Sequence, residues 1–187
     1  RDFIPEYDKI YCVSEPVRKQ VIARFPELAD RTEVLLNFID IKQVQRRSEE
    51  PLSDPQYTGE LKFLTVGRAS EEKGYDIAVQ ITAELKKRGL CFKWFIIGDG
   101  RDLNKLRTMA KEYQVEQEII FLGMRENPAP YVKSCDLYLQ PSRHEGYPIT
   151  IVEARSLQKV IIASDIPSMR EQIRDGENGY LCPLDVM

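Results

Sequence analysis

Short apolar, β-rich runs alternate with helical patterns along most of this chain, and that alternation leaves few folds open. The runs are residues 61–66, 92–97, 119–122, 136–140 and 160–163. Between the first two, residues 75–88 carry Ile77, Ala78, Ile81 and Leu85 at helical spacing and are closed by Gly89. Leu103, Leu106, Met109 and Ala110 mark a second amphipathic helix between the next pair. The runs show little polar alternation, as strands of a parallel sheet do when helices cover both faces. The expected fold class is therefore α/β: a doubly wound, Rossmann-like parallel sheet with helices on both faces. Ligands of such sheets sit beyond the carboxyl ends of the strands, so the residues just after each run are those to inspect.

The two ends read differently. Residues 9–13 predict a short strand, Ser14 the N-cap of a helix with Pro16 in its first turn, and residues 33–37 another short apolar run. Residues 42–60, polar and holding Pro51, Pro55 and Gly59, predict an exposed connector or long loop. Gly179-Tyr180-Leu181-Cys182-Pro183 is a strand-and-turn signal at which the chain nearly stops, so a piece of a longer protein is expected. At 187 residues one full core and a partial second unit fit. A net charge of -3 gives no electrostatic reason to expect nucleic acid. No apolar run approaches the roughly 18 residues of a membrane helix, and residues 1–7 lack the features of a signal peptide. Cys12, Cys91, Cys135 and Cys182 are scattered and predict four buried, reduced thiols in a cytoplasmic protein. With His144 the only histidine, zinc chemistry is set aside.

Two strand ends carry charge. After residues 61–66 comes Gly67-Arg68, followed by Glu72-Lys73-Gly74, which puts a guanidinium fork and an ammonium at one strand end, a pairing suited to a diphosphate. After residues 136–140 comes Pro141-Ser142, then Glu145-Gly146-Tyr147-Pro148 and a helix on which Pro148 takes the first position. That helix would aim free amides and its positive dipole end at the strand's carboxyl end. Glu145 precedes it, and Glu153 lies roughly 7–8 Å along its axis with a side chain tilted back toward the N-terminus. Spacing alone does not select this pair, since Glu118 and Glu126 stand at the same interval; the strand, turn and helix around it do. Elsewhere Gly98-Asp99-Gly100 starts like a dinucleotide fingerprint but meets Leu103 at the sixth position, so a tight βα turn is expected. Tyr131 and Tyr138 read as packing residues, His144 as a neutral neighbour of Glu145, and Ser134 and Ser142 have no partner that suggests a nucleophile.

Taken in order, Gly67-Arg68, Glu72-Lys73-Gly74, Phe121-Leu122-Gly123, Pro141-Ser142, Glu145-Gly146 and Glu153 resemble the donor domain of glycosyltransferase family 4 over about residues 34–184. The resemblance implies one half of a GT-B fold. Residues 1–36 would then be the residual end of an acceptor domain with its linker, and residues 37–187 a nucleotide-sugar-binding domain truncated at its C-terminus. It implies that Arg68 and Lys73 hold the diphosphate and stabilise the departing nucleotide, and that Glu145 acts with them on the donor sugar. Gly67, Gly146, Tyr147, Ile149 and Thr150 would complete the phosphate and sugar contacts, Glu153 would hold the ribose, and backbone at Met124 and Arg125 would meet the base. Retention of anomeric configuration is likewise implied by family. Tyr147-Pro148 departs from the common aromatic-glycine pair, and Leu36-Asn37-Phe38 lacks the proline and glycine of the usual linker.

The expected function is sugar transfer from a nucleoside-diphosphate sugar to a carbohydrate or lipid-linked acceptor, as in polysaccharide biosynthesis. No cofactor and no metal are expected, there being no Asp-x-Asp pattern, and the fragment alone should transfer little. The expected location is cytoplasmic, at most peripheral at a membrane. A GT-B hydrolase or epimerase and a non-catalytic nucleotide-binding module stay open as alternatives, with a nicotinamide-dependent dehydrogenase far behind.

Overall fold

The computed structural model describes residues 7–184. Two separate sheets are present. The smaller pairs β1 (Ile10–Cys12) with β2 (Thr32–Val34) in parallel, Cys12 opposite Val34. Between them lie α1 (Glu15–Arg24) and a 3₁₀ turn, Pro26–Arg31. Ser14 caps α1 as its sequence predicts, its hydroxyl accepting the amide of Val17 at 3.4 Å.

The larger sheet has six parallel strands in the order β5-β4-β3-β6-β7-β8. They are β3 (Lys62–Val66), β4 (Lys93–Ile97), β5 (Ile119–Gly123), β6 (Leu137–Gln140), β7 (Val160–Ser164) and β8 (Tyr180–Cys182). The connecting helices are α3 (Tyr75–Lys87), α4 (Leu103–Glu112), α5 (Ala129–Ser134), α6 (Ile149–Ser156) and the short α7 (Pro167–Arg170). This is the doubly wound Rossmann-like sheet expected from the alternation. Within β3 and β4 successive residues feed opposite faces: Phe63, Trp94 and Ile96 join one apolar cluster with α3 and α4, while Leu64, Phe95 and Ile97 join the other with α5 and α6. Apolar clusters lie on both faces, so polar alternation would have been unfavourable, which is why the strands lack it. Each fully buried large side chain such as Leu64 or Phe95 contributes about 1.5–3 kcal/mol.

The structure departs from the sequence reading in three places. Residues 42–60 are not all connector: α2 (Ile41–Ser48) occupies the first part, with Asp40 as N-cap accepting the amide of Gln43 at 3.0 Å. Prolines and polarity further along hid it. Its only buried residue is Ser48, so it has almost no apolar stripe, and it is held by polar links to α6 and the β5–α5 turn. Gln45 donates to the carbonyl of Ser156 at 3.3 Å and Arg47 to that of Glu126 at 3.0 Å. Of the four cysteines, Cys12 and Cys135 are buried but Cys91 and Cys182 are exposed; all are free thiols. Cys91 sits just ahead of β4 and Cys182 ends the edge strand β8, whose first and last residues are exposed. Pro148 is the N-cap of α6 and not its first residue, with an extended ψ of 113°.

Candidate functional site

The chain leaves β3 toward β4 and β5, then returns through β6 to the opposite side of β3. The strand order reverses between β3 and β6, and this is the switch point at which the loops after two neighbouring strands diverge and open a crevice. Those loops are the two that the sequence reading singled out.

They are tightly stitched together. The amide of Arg143 donates to the carbonyl of Glu72 at 2.8 Å. The Arg143 guanidinium grips both carboxylate oxygens of Asp76, at 2.6 and 2.7 Å. That fork holds the Asp76 carboxyl below the usual carboxylate range, against the opposing pull of burial. Gly74, at a left-handed φ of 66°, starts α3 where a Cβ would lie 1.9 Å from the Pro141 carbonyl. Any side chain there would push the two loops apart.

At the centre of the crevice Lys73 Nζ lies 2.7 Å from Glu145 Oε1. The same oxygen accepts Gln140 Nε2 at 2.9 Å and the Ser142 hydroxyl at 2.7 Å. The Glu145 side chain is only 8% exposed, and these donors are what make its burial tolerable. Ser142, for which the sequence suggested no partner, is thus a buried donor to the carboxylate. On the solvent side Gly67, Arg68, Ser70, Glu72, Lys73 and Arg101 line an open cavity of about 690 Å³. Arg68 and Lys73 therefore face one space, as the diphosphate reading required. Arg101, which the sequence reading missed, adds a third cation, and it comes from the tight βα turn after β4.

Tyr75 was also missed. It is the first residue of α3 and fully buried, with a hydroxyl that finds no hydrogen-bond partner among the described residues. A Cβ on Gly67 would come within 2.9 Å of that hydroxyl and 3.5 Å of Lys73 Cε. The bare backbone of Gly67 thus rests on the tyrosine and on the lysine stem. Burial, with the charges of Tyr138 and Glu145 behind it, pushes the Tyr75 phenol well up, so it stays protonated. An aromatic at the first helical position after Lys73-Gly74 was the available signal.

The approach to α6 is anchored by carboxamides. Asn37 Nδ2 donates to the carbonyl of Tyr147 at 3.1 Å and Gln172 Nε2 to that of Pro148 at 3.3 Å. Among the described residues no backbone carbonyl receives the amides of Gly146, Tyr147, Ile149 or Thr150. They form a fixed set of free donors at a positive helix end. The Thr150 hydroxyl is buried, with the Tyr138 phenol beside it.

Glu153 lies one turn further along α6, on the side facing α2. Burial pushes its carboxyl above the usual range, and the charge of Arg47 offsets this only in part. Its carboxylate makes no hydrogen bond or ion pair with a described residue. Beyond β5, Met124 is 71% exposed, but the Arg125 side chain is engaged by protein, its Nη2 lying 2.8 Å from Asp54. Tyr131, read as a packing residue, is buried and also bonds Asp54, at 2.8 Å. Tyr138 is packed at the sheet centre as expected, its phenol pushed up by burial. His144 is exposed. No cluster of three His, Cys, Asp or Glu arranged for a metal ion, and no helix long and apolar enough to cross a membrane, occurs among the described residues.

Residues 47–185, most of the chain, match the family described as glycosyl transferases group 1. The chain belongs to that family. It is 29% identical over 183 residues to an uncharacterized glycosyltransferase of Methanocaldococcus jannaschii, covering 95% of this chain and 43% of that protein. It is 26% identical over 183 residues to the N-acetylgalactosamine-N,N'-diacetylbacillosaminyl-diphospho-undecaprenol 4-alpha-N-acetylgalactosaminyltransferase of Campylobacter jejuni, covering 97% and 48%. A variant of S. aureus TarM, solved with Fondaparinux, alpha-GlcNAc-glycerol and UDP, superposes with a TM-score of 0.81 at 19% identity over 97% of this chain and 35% of that one. At that identity the likeness shows the fold, here one half of a two-domain GT-B architecture. The chain spans less than half the length of these curated relatives.

Proposed function

We propose that this chain is the donor-binding half of a retaining glycosyltransferase that moves a hexosyl unit from a nucleoside-diphosphate sugar to a carbohydrate or lipid-linked acceptor. The observation that carries the reading is the Lys73–Glu145 contact at 2.7 Å across the switch point, beside the cavity that Arg68 shares. Cleavage of the sugar–phosphate bond leaves negative charge on the departing diphosphate. In this reading Arg68, Lys73 and the free amides at the start of α6 absorb that charge, a preorganised arrangement of the kind that lowers such a barrier most. Glu145 fixes the lysine and presents its second oxygen toward the sugar. Glu153, desolvated and unpaired, is suited to accept ribose hydroxyls. The base lies against the turn at Met124 and Arg125. In this reading residues 1–36 close the acceptor half, and the cations supply the charge stabilisation that a divalent ion provides elsewhere.

The first test is calorimetric titration of this chain with uridine, guanosine and adenosine diphosphates. One of them is expected to bind; if none does, the donor-site reading is lost. The full-length enzyme is expected to keep its transfer rate in excess chelator. Sugar turnover by the fragment alone would contradict the need for an acceptor half.

A further inference from the structure

All three nitrogens of the Arg125 guanidinium bond protein groups. Nε and Nη2 reach Asp54 Oδ2 at 3.2 and 2.8 Å, while Nη1 donates to the carbonyls of Leu122 and Met124. One guanidinium thus closes the turn that ends β5 and ties it to a loop about 70 residues away in sequence.

Asp54 is the anchor of that tie. Its Oδ2 also accepts the Tyr131 hydroxyl at 2.8 Å, and its Oδ1 accepts the amide of Gln56 at 2.9 Å. Its side chain is 10% exposed. Burial pushes the carboxyl up, but the bonds from Arg125, Gln56 and Tyr131 together outweigh it and hold it below the usual range, so it stays charged at neutral pH. Tyr131 is itself fixed from the other side, where the Tyr57 hydroxyl donates to its carbonyl at 3.0 Å. The outcome is a rigid turn whose tip, Met124, stands exposed while everything beneath it is fastened.

We infer that Asp54 is a positioning residue for nucleobase recognition: by clamping Arg125 it fixes the direction of the backbone groups at residues 123–126, and so sets base affinity and selectivity without touching the ligand. This rests on the donor-site reading above. Nothing in the residues around Asp54 marked it in sequence, since it stands in a proline-bracketed polar stretch.

The test uses two probes that divide the ligand. Nucleoside diphosphates carry the base, and inorganic pyrophosphate carries only the charge held by Arg68 and Lys73. In Asp54→Asn the shape persists but the charge that holds the guanidinium is gone. Affinity for the preferred nucleoside diphosphate is expected to fall roughly 5- to 50-fold, and the preference among uridine, guanosine and adenosine to narrow. Pyrophosphate affinity should stay within about twofold, because neither Asp54 nor Arg125 lines the cavity that Arg68 and Lys73 share. An equal loss of both probes would make Asp54 a purely structural residue, and no loss of either would remove its role; each overturns the inference. If circular dichroism shows Asp54→Asn unfolded, Tyr131→Phe takes its place. It removes one donor to Asp54, and a smaller loss confined to the nucleoside probes is expected; unchanged nucleoside affinity overturns the inference. Wild-type protein that binds pyrophosphate but no nucleoside diphosphate, or neither, sinks the donor-site reading itself.

Discussion

The two glutamates at the crevice occupy opposite physical states. Glu145 is nearly covered and satisfied by Lys73, Gln140 and Ser142 on one oxygen. Glu153 is partly covered and has no donor, so its carboxyl is pushed up. In sequence they look like a matched pair. In the fold one belongs to a preorganised network that is complete before ligand arrives, and the other is an unmet demand that a ligand with hydroxyls would satisfy. A binding site can carry both, because rigidity is needed where charge develops and unsatisfied polarity where specific contacts form.

The comparison can be broken experimentally, most strongly at Glu145's partner. Lys73→Ala removes a cation from the cavity and leaves Glu145 buried without its ion pair. Transfer by the full-length enzyme should fall about 10²–10³-fold, measured as initial rate at saturating donor. A fall of less than tenfold would take the network out of the chemistry. Next is stability. Glu145→Ala leaves an ammonium, an amide and a hydroxyl without their acceptor and is expected to cost about 2–4 kcal/mol in urea melts. Glu153→Ala loses no donor and should cost far less; equal losses would show the two carboxylates to be alike.

The smallest effect has the opposite sign. A carboxyl whose pKa is raised on folding holds its proton longer in the native state than in the unfolded one. Stability therefore declines as pH rises past the ordinary glutamate value of about 4.3, and the penalty is complete above the raised native value. Glu153→Gln removes that penalty. Thermal melts should show a gain at pH 7 that disappears at low pH, together with weaker nucleoside diphosphate binding. A destabilised variant at pH 7 would mean that Glu153 is paired after all.

Much of this was open to a reader of the residues. Ile77, Ala78 and Leu85 announced α3 because its inner face must be apolar, and Gly67, Arg68, Lys73 and Glu145 announced charge at strand ends. The helix α2 was hidden because polar links hold it in place of an apolar stripe, and those links involve residues about 80 to 110 positions away. Arg101 follows the Gly98-Asp99-Gly100 turn and Tyr75 follows Lys73-Gly74, but only the approach of the loops in space puts them at the crevice. For Arg125 the local reading placed backbone near a ligand but gave no sign that its side chain would turn back to Asp54.

The core strands, α3, α4 and the class of sheet were legible in the residues, because hydrophobic period and turn residues act over a few neighbours and need no distant partner. Which strand ends share a crevice was settled by long-range packing. The reversal between β3 and β6 brings Lys73 to Glu145 across 72 residues of chain, and no local energy encodes that approach. It follows from packing both faces of one sheet at once, and the burial it imposes then determines which carboxylate is satisfied and which is left wanting.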